Sequence, residues 1–237
     1  MDHLTSVGTI NASNFVRAVI QPDGMGAIHF LMPVTDFEYN GQPVTPPGFD
    51  KEYGLYLTLD GTNIGHPDGS VDFTSLNVTL WADPGNDAGT PSVSETSDPA
   101  FTNGTANDIV LATGTLVSGS MSLDPTTNTR HADLVEQLTP TLDGTVLLDG
   151  SIKPGTLLEE QTTAPLMGLP FTSYPPSTDG GPTITTVSGG TAQITLDPQG
   201  TILLPNISHN HLQLADVPRF IHGNHDGHHA DHGRGRE

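Results

Sequence analysis

Aspartate followed by glycine or proline recurs along nearly the whole chain, at Asp23-Gly24, Asp60-Gly61, Asp68-Gly69, Asp83-Pro84, Asp98-Pro99, Asp124-Pro125, Asp143-Gly144, Asp149-Gly150, Asp179-Gly180 and Asp197-Pro198. Between these steps lie short runs rich in Thr, Val, Ile and Leu, the punctuation of an all-β chain. Aspartate side chains accept backbone hydrogen bonds where the chain reverses, so much of the acidity has a local structural origin.

That acidity is large. The 237 residues carry 27 acidic against 7 basic side chains, a formal net charge of -20. A surface of that sign repels phosphates and anionic headgroups, which excludes nucleic acid as an expected partner. Cysteine is absent, so disulfides, thiolate metal sites and iron–sulfur clusters are excluded and packing must hold the fold. No segment has the length and apolarity of a membrane span, and the first residues lack the basic and apolar regions of a signal peptide. Composition nevertheless fits an exported protein, and the expectation is a secreted or cell-surface chain whose leader is absent from this numbering.

Alternation is cleanest at Tyr53, Leu55, Leu57 and Leu59, and again at Leu76, Val78 and Leu80, each pattern describing a half-buried strand. Ile194 and Leu196 are expected to pair with Ile202 and Leu204 across Asp197-Pro198-Gln199-Gly200. Asn40-Gly41 predicts a tight hairpin whose second strand Pro43 confines to an edge. Asp108 to Val117 is a long strand candidate in which Gly114 marks a bulge. Further strands are expected near Phe15 to Ile20, Ala27 to Met32, Thr145 to Leu148 and Thr183 to Val187. One short helix is expected over His131 to Leu138, because Leu134, Val135 and Leu138 share a helical face and Thr139-Pro140 stops it. Gly85 to Gly104 and Thr172 to Pro182 are expected as surface loops. The predicted architecture is an antiparallel β-sandwich, jelly-roll-like or Ig-like, with long loops over residues 1–205 and a His/Gly-rich flexible tail over 206–237.

Tyr53-Gly54-Leu55-Tyr56-Leu57-Thr58-Leu59-Asp60-Gly61-Thr62, Leu76-Asn77-Val78-Thr79-Leu80-Trp81-Ala82-Asp83-Pro84-Gly85-Asn86 and Asn107-Asp108-Ile109-Val110-Leu111-Ala112-Thr113-Gly114-Thr115-Leu116 resemble the flocculation-associated PEP-CTERM proteins, exported proteins of the bacterial matrix. The resemblance implies a β-rich domain, export, and a part in cell aggregation or exopolysaccharide association, with no catalytic residues. Such proteins end in a Val-Pro-Glu-Pro signal, a membrane helix and a basic cluster, whereas here Val217-Pro218-Arg219-Phe220 leads into histidines.

Those histidines, His222, His225, His228, His229 and His232, form the one cluster with clear capacity for Zn²⁺, Ni²⁺ or Cu²⁺. Asp83, Asn86 and Asp87 supply oxygen donors for Ca²⁺, but their spacing misses the EF-hand pattern and turn chemistry accounts for them. Alternation places Tyr56 and Trp81 on the outer faces of their strands, where the rings either stack on sugars or fill a second interface. Glu159-Glu160 is the only adjacent pair of carboxylates, and neighbours in an extended chain point opposite ways. No hydrolase, zincin, Walker or dinucleotide motif is present. The expected function is noncatalytic: adhesion, aggregation or matrix association through exopolysaccharide or the cell surface, requiring no cofactor. Metal binding by the tail and assembly into a surface filament by self-association are the alternatives.

Overall fold

The computed structural model describes residues 8–39, 41–103, 105–143, 152–167 and 183–197, all within the first of two units of the chain, Met1–Leu203. The described residues form eleven strands: β1 (Thr9–Ile20), β2 (Met25–Tyr39), β3 (Gln42–Val44), β4 (Tyr53–Gly65), β5 (Val71–Pro84), β6 (Pro91–Ser94), β7 (Ser97–Phe101), β8 (Ile109–Asp124), β9 (Thr129–Pro140), β10 (Thr156–Met167) and β11 (Ile184–Asp197). The long strands follow one another around a single sheet in the order β1-β2-β4-β5-β8-β9-β10-β11, every pair antiparallel, and β11 returns to β1. The result is a closed eight-stranded up-and-down barrel with β3 added along β2. β6 and β7 form a separate hairpin between β5 and β8.

Closure is staggered. Val16 pairs with Phe30, and the chain of partners continues through Leu59, Val78 and Gly114 to Leu138 on β9. In the other direction Val16 pairs with Ser188 and Ser188 with Leu166, whose N–H reaches the Asn128 carbonyl just before β9. The two routes therefore arrive at different heights, and the strands tilt as a closed sheet demands.

Period-two alternation sends one face of each strand into the lumen. Along β1 every second residue from Ile10 to Ile20 is buried and the intervening ones are half-buried. Leu55, Leu57 and Leu59 on β4 meet Leu76, Val78 and Leu80 on β5 in a core extended by Ile28, Phe30, Met32, Leu134 and Leu138. The outer wall instead carries Thr58, Asp60, Asn77, Thr79, His131, Asp133 and Gln137, so apolar groups face in and polar groups out. A bilayer-spanning barrel has the reverse polarity. Among the described residues no helix is long and apolar enough to cross a membrane.

The expected sandwich is thus corrected to a barrel: alternation requires one dry face, and a single sheet meets that requirement by curling on itself. The expected helix is corrected too, since His131 to Leu138 lies inside β9, paired on both sides. At Ile194 both edges of β11 are taken, by Ile10 and by Glu160, while Ile202 and Leu204, the partners expected across Asp197-Pro198-Gln199-Gly200, lie outside the described residues. Gly85 to Gly104 holds the β6–β7 hairpin rather than only loop. β8 is irregular in two places, against β9 between Leu116 and Ser118 and against β5 where Leu80 and Trp81 pair with Ala112 and Val110, and neither falls at Gly114. Gly114 is needed for another reason, because a Cβ there would lie 2.8 Å from the Val78 Cγ1 and 2.7 Å from the Gln137 carbonyl. The β2–β3 hairpin forms as expected, with Tyr39 opposite Gln42 and Gly41 at φ 72, while Asn40 lies outside the described residues. Thr145 to Leu148, Thr172 to Pro182 and the histidine tail lie outside the described residues.

Gly190 tests the close approach of strands at the seam. A Cβ there would overlap the Thr163 backbone carbonyl, which has no flexible end to yield. Gly190→Ala is expected to lose about 3 kcal/mol or more in urea unfolding, whereas Thr191→Ala, exposed on the outer wall, should change stability little.

Candidate functional site

Two places concentrate polar chemistry, one outside the wall and one inside. The outer one begins with Tyr56 and Trp81, opposite each other on β4 and β5. Their rings stack with centroids 5.9 Å apart and planes 8° from parallel. The Trp81 indole donates to the Thr58 hydroxyl at 3.0 Å. Phe101, at the end of β7, meets the Tyr56 ring edge-on at 4.9 Å, which leaves Tyr56 buried at 5% exposure while Trp81 stays half-buried. The hairpin carrying Phe101 lies against β1 and β2. Arg17 fixes it, its Nη1 2.6 Å from Asp98 Oδ1 and its Nε donating to the Glu95 carbonyl at 3.1 Å.

Beneath that hairpin a cleft of about 250 Å³ opens, lined by Pro33, Phe49, Asp50, Gly54, Tyr56, Asp83, Asn86 and Phe101 among others. Asp50 and Asn86 sit on it with φ of 61 and 53, backbone conformations that asparagine and aspartate tolerate better than most residues. The Asn86 amide donates to Asp50 Oδ1 at 3.1 Å. Gly54 makes this possible, because a Cβ at 54 would lie 2.7 Å from Asn86 Oδ1. Asp83 is buried and accepts the Asp87 and Ala88 N–H groups at 3.2 and 3.0 Å, which is the turn chemistry its spacing suggested. The Tyr56 hydroxyl donates to Asp108 Oδ2 at 2.5 Å. Burial, then that hydrogen bond and the nearby carboxylates, raises the Tyr56 pKa, so it remains a donor throughout the physiological range. Asp108 is also raised, first by burial and then by the charges of Asp83 and Asp87, against the lowering effect of the Tyr56 bond.

The inner place lies on β9 and β10. Glu136 and Glu160 both face the lumen, at 0% and 1% exposure, and none of their four carboxyl oxygens has a hydrogen-bond partner. Glu136 pairs with Leu158 and Glu160 with Leu134, so the two are diagonal neighbours on one face, within reach of each other for side chains of this length. Burial raises both pKa values: Glu160 is pushed up to about 8, and the neighbouring Glu160 charge adds to the burial effect at Glu136. Asn14 on β1 is likewise buried in the lumen, its amide nitrogen and oxygen both unpartnered. Arg130 is the remaining charged group that the described strands turn inward, and its Nη1 donates to the Thr186 hydroxyl at 2.8 Å. Tyr53 stands at the β4 end of the lumen, against Phe49.

The sequence pattern found Tyr56, Trp81 and the outward Glu159, but it missed Glu136 as the partner of Glu160. The signal available was the inward position of Glu136 in the alternation Ala132, Leu134, Glu136, Leu138. Among the described residues no group of three or more His, Cys, Asp or Glu is placed to hold a metal ion. The described histidines are committed elsewhere, His29 to Asp60 at 2.6 Å, His66 to Asp72 at 2.8 Å and His131 to Thr163 at 3.2 Å. His222, His225, His228, His229 and His232 lie outside the described residues.

No known protein family, curated protein or solved structure matches this chain.

The buried carboxyls make stability depend on pH with a definite sign. Unfolded, each loses its proton near 4.5, whereas folded Glu160 keeps its proton to about 8. Between those values the native state binds more protons, so stability falls as pH rises and the loss is complete above the folded pKa. The wild type is expected to lose a few kcal/mol, on the order of 1.4 per unit of pKa shift, between about pH 5 and pH 8. The Glu136→Gln/Glu160→Gln double variant should lack that component, measured as the difference between the two urea-unfolding profiles across the same range.

Proposed function

We propose that this protein is a noncatalytic component of the extracellular matrix or cell surface that holds polysaccharide in the Tyr56 cleft. The observation that carries the reading is the composition of that cleft: the rings of Phe49, Tyr56 and Phe101 share it with the amide and carboxyl groups of Asn86, Asp50 and Asp83. Aromatic faces and edges pack on the C–H surface of a sugar while amides and carboxylates take its hydroxyls. A volume of about 250 Å³ suits one or two sugar rings at a time.

The same groups speak for holding rather than transforming. Asp83 is tied to two backbone N–H groups, Asp50 to Asn86, and Asp108 to the Tyr56 hydroxyl. With a net charge of -20, the surface repels anionic chains, so a neutral glycan is the expected ligand. Export to the cell surface belongs with the same reading. Filament assembly through an open sheet edge is the weaker reading. Closure uses both edges of the eight long strands, and the added β3 is three residues long and contains Pro43.

Retention of the full chain on gels containing neutral exopolysaccharide tests the proposal. Wild type should be retarded, and Phe101→Ala or Asn86→Ala should weaken binding about tenfold, equivalent to about 1.4 kcal/mol, with unchanged circular dichroism. Equal retention of wild type and both variants would remove the cleft from the proposed function.

A further inference from the structure

The longest break in the pairing of the described barrel wall lies between β5 and β8. β5 and β8 pair at Asp72↔Ser120 and again at Asn77↔Thr115, with no pairing between. Each strand is also irregular against its other neighbour there, β5 against β4 near Thr62/Asn63 and β8 against β9 at Leu116/Ser118. A groove of about 380 Å³ occupies the separation, lined by Phe73 to Asn77 and Thr115 to Gly119. Its residue Leu116 is paired directly with Glu136. The opening therefore lies one side chain away from the buried carboxyl pair.

Behind Leu116 the polar groups are unpartnered and their surroundings are small or apolar. The strands between Glu160 and Asn14 present Ala192 opposite Ala12 and Gly190 opposite Asn14. Leu134, Leu138, Leu158 and Ile194 form the rest of the wall around the carboxyls. Four carboxyl oxygens and the Asn14 amide group thus face a dry lumen, and none of them has a hydrogen-bond partner. Eight-stranded barrels hold one small ligand in this position. Since buried acceptors without donors are strongly disfavoured, the missing partner is a donor.

From this placement we infer that the lumen is a second binding site, entered between β5 and β8, for a small organic ammonium ion whose N–H groups bridge Glu136 and Glu160 and whose alkyl body lies on Leu116, Leu134 and Leu138. A primary ammonium brings three donors and one charge, which matches two carboxyls and an amide. A divalent metal ion would need more: no third carboxylate or histidine joins the pair among the described residues. Arg130 on β9 and Tyr53 at the end of β4 are the other titratable groups that the described strands turn inward, and neither contributes to the shifted titration of the pair. As the ammonium ion enters, one carboxyl of the pair gives its proton to solvent and becomes anionic while the other stays neutral and accepts through its carbonyl oxygen, so one cation replaces one proton and the charge of the lumen is unchanged. This site is independent of the glycan cleft on the outer wall.

n-Butylammonium chloride serves as the probe, titrated into the full chain at pH 7 by calorimetry in two buffers of different ionisation enthalpy, with thermal unfolding alongside. Expected are saturable binding, release of a proton, and a rise in Tm of about 5 °C at a hundredfold excess over Kd. Glu160→Gln should bind about tenfold more weakly or worse, and the Glu136→Gln/Glu160→Gln variant should not bind. Tetramethylammonium chloride controls for ionic strength and n-butanol for an apolar cavity. An equal response to either control, an equal response of the double variant, or binding without proton release would overturn the inference.

Discussion

Everything in this molecule follows from β1 being hydrogen-bonded along both edges. It pairs with β2 on one side and with β11, the last described strand, on the other, in register from Ile10↔Ile194 to Ile20↔Ile184. That second pairing joins distant parts of the chain, and it turns a meander with two exposed edges into a cylinder with almost none. Closure is also what makes the lumen dry. An open sheet of the same strands would leave Glu136, Glu160 and Asn14 in water, where carboxyls are ordinary and amides satisfied. Their unusual state is a consequence of topology.

How much of this the sequence carries depends on which physical property a position reports. Alternation at Leu55, Leu57 and Leu59 and at Leu76, Val78 and Leu80 reports which side is dry, and those residues do line the core. It does not report what lies across the dry space, which is why two stacked sheets and one closed sheet look alike from the pattern. Strand length held the missing information. β2, β5, β8 and β11 run to 15, 14, 16 and 14 residues, far beyond the usual five or six but natural for strands tilted around a barrel. The misreading of His131 to Leu138 has a sharper cause. Glu136 occupies an inward position where an apolar residue was expected, and the outward Val135 is only 7% exposed, so the period of two was masked and a helical spacing showed through. The residue that hid the strand is one of the pair that makes the lumen chemically unusual. The outer aromatic pair was easier to see, because Tyr56 and Trp81 stand on outward positions that alternation labels directly. Their cover, the β6–β7 hairpin, was invisible in a stretch whose Ser, Thr and Pro content resembles a loop.

The hairpin shows how the outer wall acquires a shaped surface without disturbing the cylinder. A regular strand offers the solvent a nearly flat face, and flat faces hold small ligands poorly. Here β5 ends in a turn secured by Asp83, the chain folds back as β6 and β7, and Phe101 is delivered onto Tyr56 while Arg17 holds the far end. Asp50 and Asn86 accept positive φ on the rim of the resulting cleft and join through a hydrogen bond. Strained conformations of this kind persist where the surrounding structure over-determines them. The rigid barrel supplies that over-determination, since Gly54 and Asp83 are fixed opposite each other by the β4–β5 pairing.

The interior follows the opposite logic, because a closed barrel has no spare conformations with which to accommodate a polar group. A protein of this size has a margin of only about 5–15 kcal/mol, and a buried pair of unpartnered carboxyls subtracts a sizeable share of it at any pH where a proton must be held. Leu at both positions would fill comparable volume without that penalty. The break in pairing between β5 and β8 is a second expense of the same kind, since it forgoes hydrogen bonds in the middle of a wall whose closure defines the fold. Two unfavourable features at unrelated positions would each need its own explanation. Placed on the two sides of the Leu116↔Glu136 pair, they have one: an opening is useful only if it leads to something, and buried acceptors are useful only if a donor can reach them.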